Sequence, residues 1–247
     1  MVPISLGDDL VMEVIDGTGI ELSCSDPSLS SGPENLVHRA ITIFQKRYNW
    51  NQGMKVRIEK RIPIGAGLGG GSSNASATLL GLRELCELSI SDSELVGLAG
   101  ELGSDTAFFV HARPAICRGR GEIIEPTGLS DSYSGILINP GFGVSTPWAY
   151  QAYARNPSKG EEGCQFGFGK LRNDLEPSVL EKYPWIAVAK QWLREQAGVQ
   201  DALMSGSGSS VFSILEEKTD AVELALRFKR EFGQMILAYP IRINPES

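Results

Sequence analysis

One run of this chain holds five glycines and two serines within eleven residues: Pro63-Ile64-Gly65-Ala66-Gly67-Leu68-Gly69-Gly70-Gly71-Ser72-Ser73. Glycine lets a backbone turn its N–H groups inward and come close to an anion. The run lies between a strand pattern, Met54–Ile58, and an Ala/Leu-rich helix pattern from about Ser72 to Leu88. A helix starting there aims its unpaired N–H groups and its positive dipole end at the same point. The hydroxyls of Ser72 and Ser73 can bind phosphate oxygens or a Mg²⁺ ion. These are the physical parts of a triphosphate cradle. No Gly-Lys-Ser/Thr comes after the glycines, so this is not a Walker A loop. Gly65-Ala-Gly67-Leu-Gly-Gly70 fits G-x-G-x-x-G, but no acidic ribose ligand closes a second strand at the right spacing. A flexible Gly/Ser linker is the bland alternative, and a linker would not be joined to a strong helix former.

The elements that must carry this loop can be read from the pattern. Leu10–Ile15 and Ile20–Cys24, joined by Asp16-Gly17-Thr18-Gly19, predict a hairpin. Asn35 opens a helix whose apolar positions Leu36, Val37, Ala40, Ile41 and Phe44 share one face. As an N-cap, Asn35 would satisfy that helix's first N–H groups. Ser91 and Glu94 form a capping box. Ser104 can cap a short helix over 105–110, with Asp105 in its first turn, where the dipole favours a carboxylate. Two strands flank Gly119-Arg120-Gly121, and Gly128–Ser134 is a polar break. Beyond it come a strand over 136–139, a helix over 146–153 and a Gly/Pro/charge-rich loop over 155–169. Helices at about 175–182 and 184–196 are next. A second Gly/Ser loop, Met204–Ser209, leads into a strand over 210–215. A helix at 219–231 and a strand at 235–243 end the chain. The mixture lacks strict βαβ alternation and predicts an α+β fold. The break near residue 128 predicts two domains, 1–128 and 129–247, with a glycine loop on each side and a nucleotide in the cleft between them.

Composition removes several function classes. The chain has 247 residues, 42% apolar and 21% charged, which suffices for one or two true cores. A net charge of −7 disfavours gripping a nucleic-acid backbone. It does not disfavour a nucleotide held by backbone N–H groups. No apolar run has membrane-spanning length, and the first residues lack the apolar stretch of a signal peptide. Cys24, Cys86, Cys117 and Cys164 form no CxxC pair, and His38 and His111 form no ligand pattern. They fit a reduced, cytoplasmic setting.

Taken together, several motifs resemble those of the GHMP kinases, the galacto-, homoserine, mevalonate and phosphomevalonate kinases. The motifs are Pro63–Ala75 and Leu102-Gly-Ser-Asp105. Pro140-Gly-Phe-Gly-Val-Ser-Thr-Pro147, Asn173-Asp174-Leu-Glu176 and Met204-Ser-Gly-Ser-Gly-Ser-Ser-Val-Phe212 complete the set. They occur in family order over nearly the whole chain. The resemblance implies a ribosomal protein S5 domain 2-like first domain and a ferredoxin-like second one. It implies ATP and Mg²⁺, with Pro63 to Ser73 around the phosphates and Asn35 near the adenine edge. Asp105 matches the aspartate that accepts or orients the acceptor's proton. Thr146, Ser207 and Gly208 match substrate contacts, although a tight turn alone could explain Ser205–Ser210.

The details are most like those members that phosphorylate the 2-hydroxyl of a cytidine-diphosphate-linked methylerythritol in non-mevalonate isoprenoid (terpenoid) biosynthesis. Such a protein is expected as a monomer or homodimer. The family begins with a Pro-Ala-Lys-Ile-Asn-Leu strand and an Asp-Gly-Tyr-His segment. This chain starts at Met1-Val-Pro-Ile-Ser-Leu, which resembles the stretch just C-terminal to those two segments. The resemblance thus implies an N-terminally incomplete first domain. That domain would lack the lysine beside Asp105 and the wall around the cytosine, keeping ATP affinity with little turnover. Lys60 and Arg61 do not occupy that lysine's position. Two further readings stand beside this one: a GHMP kinase for another alcohol, and a pseudokinase that binds nucleotide without transfer.

Overall fold

A computed structural model describes residues 1–119, 121, 123–157, 163–233 and 236–244. The chain forms two compact units. One comprises Met1–Ile62 and Gly69–Gly128, the other Pro63–Leu68 and Leu129–Ser247.

The first unit holds β1 (Asp9–Ile15), β2 (Ile20–Cys24), α1 (Leu36–Tyr48), β3 (Gly53–Glu59), α2 (Gly70–Leu85), α3 (Asp92–Leu102), α4 (Phe108–His111), β4 (Ala115–Arg118) and β5 (Ile123–Pro126). The hairpin expected from β1 and β2 does not form. β3 lies between them, antiparallel to β1 and parallel to β2. The cause is burial. Met54, Val56 and Ile58 of β3 are at most 1% exposed, whereas Leu10, Met12, Ile20 and Leu22 are only half-buried. The strand with the most apolar face takes the centre. Residues 16–19 then bridge two strand spacings, about 10 Å, within the reach of four residues. Against this sheet pack Val37, Ala40, Ile41 and Phe44 of α1, and Ala75, Leu79 and Leu82 of α2. α3 adds Leu95, Leu98 and Leu102, and its capping box of Ser91 and Glu94 is present.

The second unit holds β6 (Tyr133–Asn139), α5 (Thr146–Arg155), β7 (Cys164–Phe166), β8 (Gly169–Leu171), α6 (Glu176–Lys182), α7 (Pro184–Arg194), β9 (Val199–Met204), β10 (Val211–Leu215), α8 (Ala221–Phe232) and β11 (Leu237–Ile243). Its main sheet has the order β11-β6-β10-β9, antiparallel throughout. The first and third strands in sequence sit centrally and the helical crossovers join them to the edges, which is the ferredoxin-like plan. The hairpin β7–β8 takes up part of the loop expected over 155–169, and residues 158–162 lie outside the described part. Three-residue strands are too short to show alternation in sequence. Phe166 instead fixes the hairpin by stacking on Phe168 and Phe212, with centroids 6.0 and 5.6 Å apart. β9 also escapes the sequence pattern, because Val199–Met204 carries two polar residues, Gln200 and Asp201, near its start.

Under the sheet, Trp185, Trp192, Phe228 and Phe232 meet edge to face, with Trp192 and Phe228 centroids 4.8 Å apart. Phe228 is fully buried. Phe228→Ala should therefore cost about 3–5 kcal/mol and Phe228→Leu clearly less. Denaturant titration followed by tryptophan fluorescence checks this, and equal midpoints for both variants would contradict the packing described.

Candidate active site

The glycine-rich run divides at Leu68 between the two units. In the second unit, Pro63–Leu68 is stitched to two other loops. The Gly65 carbonyl accepts from the Val144 N–H at 3.0 Å, and the Ala66 carbonyl from the Ser210 N–H at 3.2 Å. The Ser205 hydroxyl donates to the Gly67 carbonyl at 2.9 Å. Gly67 has a φ of +73°, and a Cβ there would lie 2.1 Å from the Ser205 carbonyl oxygen. No side chain fits, so this glycine is required by contact as well as by conformation.

In the first unit, Gly69–Ser73 opens α2. The helix begins at Gly70, two residues before the expected Ser72. Its N-cap, Gly69, is left-handed, with Phe109's ring 2.9 Å from where a Cβ would stand. No side chain caps the helix, and its first turn carries no acidic residue. The Ser73 hydroxyl donates to the Gly70 carbonyl at 2.9 Å. The result is a helix N-terminus whose donors are not consumed by a cap, at the place where the sequence puts a phosphate cradle.

Behind that turn lies a buried polar strut. Lys60 Nζ is 2.7 Å from Asp8 Oδ2, with side chains 8% and 0% exposed. Lys60 also donates to the Ile62 carbonyl. Asp8 accepts from the Asn74 amide at 2.8 Å and from the Arg61 and Ile62 N–H groups at 2.7 and 2.8 Å. Burial alone would raise the Asp8 carboxyl. The hydrogen bonds from Lys60, from the Ile62 and Arg61 backbone and from Asn74 outweigh it and hold the group below the usual carboxylate range. Lys60 therefore neutralises Asp8 and pins the start of β1, the end of β3 and the first turns of α2 together. In sequence, Lys60 is only a basic residue near the loop and nothing singles out Asp8. Their pairing spans 52 residues and has no local signature.

Asp105 sits exposed in the turn 104–107, and α4 starts only at Phe108. The helix expected over 105–110 is thus displaced. The Thr106 N–H bonds Gly103, and the Phe109 and Val110 N–H groups reach three residues back rather than four. The Ser76 hydroxyl also takes the Thr106 carbonyl, at 2.5 Å. Asp105 is therefore not a first-turn helical residue. Ser76 on α2 and Phe109 against Gly69 nevertheless fix the Asp105 turn beside the first turns of α2.

Asn35 is the N-cap of α1: its side-chain carbonyl oxygen accepts from the Val37 N–H at 2.9 Å, and its amide donates to the Ser30 carbonyl at 2.8 Å. Thr146 and Ser207 meet through their hydroxyls at 2.9 Å. Asn139, which no sequence motif marks, is buried and donates to the hydroxyls of Ser209 and Ser210 at 3.3 and 3.0 Å. Its side-chain carbonyl oxygen accepts from the Gly141 N–H. It thereby ties the 140–147 segment to the Ser205–Ser210 loop. Gly208 lies in that loop, with its N–H bonding the Ser205 carbonyl.

Similarity to known proteins bears on this arrangement. Residues 35–113 match the description "GHMP kinases N terminal domain", and residues 162–234 match "GHMP kinases C terminal". The 4-diphosphocytidyl-2-C-methyl-D-erythritol kinase of Methylacidiphilum infernorum is 40% identical, over 97% of this chain and 82% of its own. A crystal structure of a 4-(cytidine 5'-diphospho)-2C-methyl-D-erythritol kinase superposes with a TM-score of 0.79. It is 31% identical and covers 99% of this chain and 89% of its own. The homoserine kinase of Cytophaga hutchinsonii, at 17% identity, 99% and 87% coverage and a TM-score of 0.76, shares the fold.

The strut makes its own prediction. Asp8→Ala leaves Lys60 facing no carboxylate in a buried position and should cost about 3–5 kcal/mol. The pH dependence is set by the depressed folded-state value. The stabilisation is complete above the unfolded value near 4 and is lost as pH falls through the lower, folded one. Stability measured from pH 7 down to pH 2 should therefore drop below about pH 4, and Asp8→Asn should flatten that part of the drop. An identical acid limb in Asp8→Asn would refute the assignment.

Proposed function

The chain belongs to the GHMP kinase family, among the relatives of the 4-diphosphocytidyl-2-C-methyl-D-erythritol kinases, and on that premise we propose that it transfers the γ-phosphoryl group of ATP to an alcohol. The acceptor in this reading is the 2-hydroxyl of 4-diphosphocytidyl-2-C-methyl-D-erythritol. The observation that carries it is the uncapped start of α2 behind left-handed Gly69. Phosphate oxygens would accept from the N–H groups of Gly70, Gly71 and Ser72, with the dipole favouring their charge. Because the cradle is backbone, the chain's net negative charge does not oppose it.

Asp105 would accept or orient the acceptor's proton. It is exposed, so an incoming hydroxyl can reach it. Phosphoryl transfer passes through a loose transition state and depends mainly on placement and charge stabilisation, and a carboxylate held beside the start of α2 would contribute to the placement. In the second unit, Thr146 meets Ser207, and the family resemblance assigns Thr146, Ser207 and Gly208 to the acceptor. Asn35 keeps a second amide hydrogen for the adenine edge while it caps α1.

Among the described residues, no three His, Cys, Asp or Glu side chains gather as a metal site. A Mg²⁺ ion carried on the triphosphate needs only one or two protein oxygens, so the donor set fits it. The hydroxyls of Ser72 and Ser73 would hold it. When bound, it would supply positive charge to offset that of the triphosphate. Also among the described residues, no helix is long and apolar enough to cross a membrane.

Two variants test the roles separately. Asp105→Asn should lower kcat by about 10²–10⁴ with ATP affinity kept. Gly70→Val places a side chain where the Ile62 Cγ2 is 3.0 Å and the Lys60 ammonium 3.3 Å from its Cβ, behind the glycine turn, so the helix start must shift. It should weaken ATP binding at least tenfold by calorimetry. A coupled ADP-release assay with the cytidyl-diphospho acceptor reads turnover. ATP affinity unchanged in Gly70→Val, or full turnover in Asp105→Asn, would contradict the respective role.

A further inference from the structure

The Asn173-Asp174-Leu175-Glu176 motif touches no part of the cradle described above, yet both its amide and its terminal carboxylate point at one place. Asn173 Nδ2 donates to the carbonyls of Met204 and Gly206, each at 2.8 Å. Asn173 Oδ1 accepts from the Leu175 N–H at 3.0 Å, an Asx turn that starts the approach to α6. Glu176 Oε1 accepts from the Met204 N–H at 3.0 Å. Its other oxygen meets Lys190 Nζ at 2.6 Å, with both side chains at most 4% exposed.

The reason for such a bracket is topological. β9 is the edge of its sheet, so no outer strand holds the chain as it leaves Met204. From there to Ser210 the loop has few backbone bonds of its own: Ser205 N–H to the Ser210 carbonyl and Gly208 N–H to the Ser205 carbonyl. Asn173 and Glu176 supply what a neighbouring strand would have supplied, bonding both polar groups of Met204 and one of Gly206. Lys190 pairs with the carboxylate in a buried place, where a charge-assisted bond is short and directional. The position of Ser205 in turn governs the cradle's first half, since Ser205 and Ser210 bond Gly67 and Ala66.

We propose that Asn173, backed by Glu176 and Lys190, is a positioning residue that sets the Ser205–Ser210 loop, and through it Ala66–Gly67, in the geometry phosphoryl transfer requires. The proposal rests on the kinase reading given above. Asn173 itself contacts loop carbonyls and acts through them.

The decisive variant is Asn173→Asp in the full chain. It keeps the oxygen that accepts from Leu175, so α6 still starts correctly. It removes the donor and sets a carboxylate against two carbonyls. Three results are expected. Amide hydrogen exchange should speed up at least tenfold in the 205–210 segment, with the β6 and β10 amides unchanged. Turnover should fall about 10- to 100-fold, since misplacement of a positioning group costs that order. ATP affinity should stay within about threefold. Asn173→Gln, which restores an amide donor, should recover part of the turnover. Unchanged exchange and turnover in Asn173→Asp would overturn the proposal. So would exchange that rises evenly across the second unit, with activity lost only in proportion to unfolded protein. Absence of transfer to the acceptor by the unaltered chain would count against the kinase reading alone. The exchange measurement would then decide the bracket by itself, a local rise supporting it and no rise overturning it.

Discussion

A helix start that is left without a cap is the constraint on which the first unit depends. α1, α3, α5 and α8 each begin with a side chain that accepts from the first turn: Asn35, Ser91, Ser145 and Asp220. α2 is longer than any of them and begins with glycine. Glycine in place of a capping side chain costs a helix roughly a few tenths of a kcal/mol. That loss is tolerable because α2 is held by its buried face, not by its end. Ala75, Leu79 and Leu82 are fully buried, and the Ser76 hydroxyl bonds the Thr106 carbonyl. Tertiary packing thus frees the helix end for an anion.

The same constraint explains how an acidic chain can hold a polyanion. Lys60, the lysine behind the glycine turn, is already neutralised by Asp8. Its charge stabilises the frame and adds little net field at the cradle. Attraction there comes from oriented peptide dipoles, which need close approach and are insensitive to the sign of the surface. Close approach is what glycine provides. Gly67 leaves no room for a Cβ against Ser205, and Gly69 leaves little against Phe109.

Local chemistry is legible in the sequence and long-range pairing is not. The N-cap at Asn35 and the capping box at Ser91 are readable because the donor and acceptor lie within three residues of each other. The glycine run is readable because its composition has one economical meaning. The order β1-β3-β2 is not, since the turn at 16–19 suits a hairpin and only the burial of β3 decides otherwise. The turn bearing Asp105 reads as helix in sequence because Ser76, some thirty residues away, is what takes the Thr106 carbonyl. Asp8, Asn139 and the bracket at Asn173 act over 31 to 71 residues, beyond any pattern of periodicity.

Among the described residues, each unit contains a buried Lys–carboxylate pair, and the two are alike in a way that stability does not explain. Buried ion pairs can be replaced by apolar groups with little loss, and often with gain. Asp8 and Glu176 share something apolar groups cannot provide. Each uses its second oxygen to bind backbone N–H groups at a strand end that leads directly into a glycine segment: Arg61 and Ile62 after β3, Met204 at the end of β9. Glycine segments have little preference for any one conformation. A carboxylate that is itself fixed by a lysine gives such a segment a defined origin. The two pairs are best understood as anchors for otherwise permissive loops, each within its own unit, with their stabilising effect secondary to the geometry they impose.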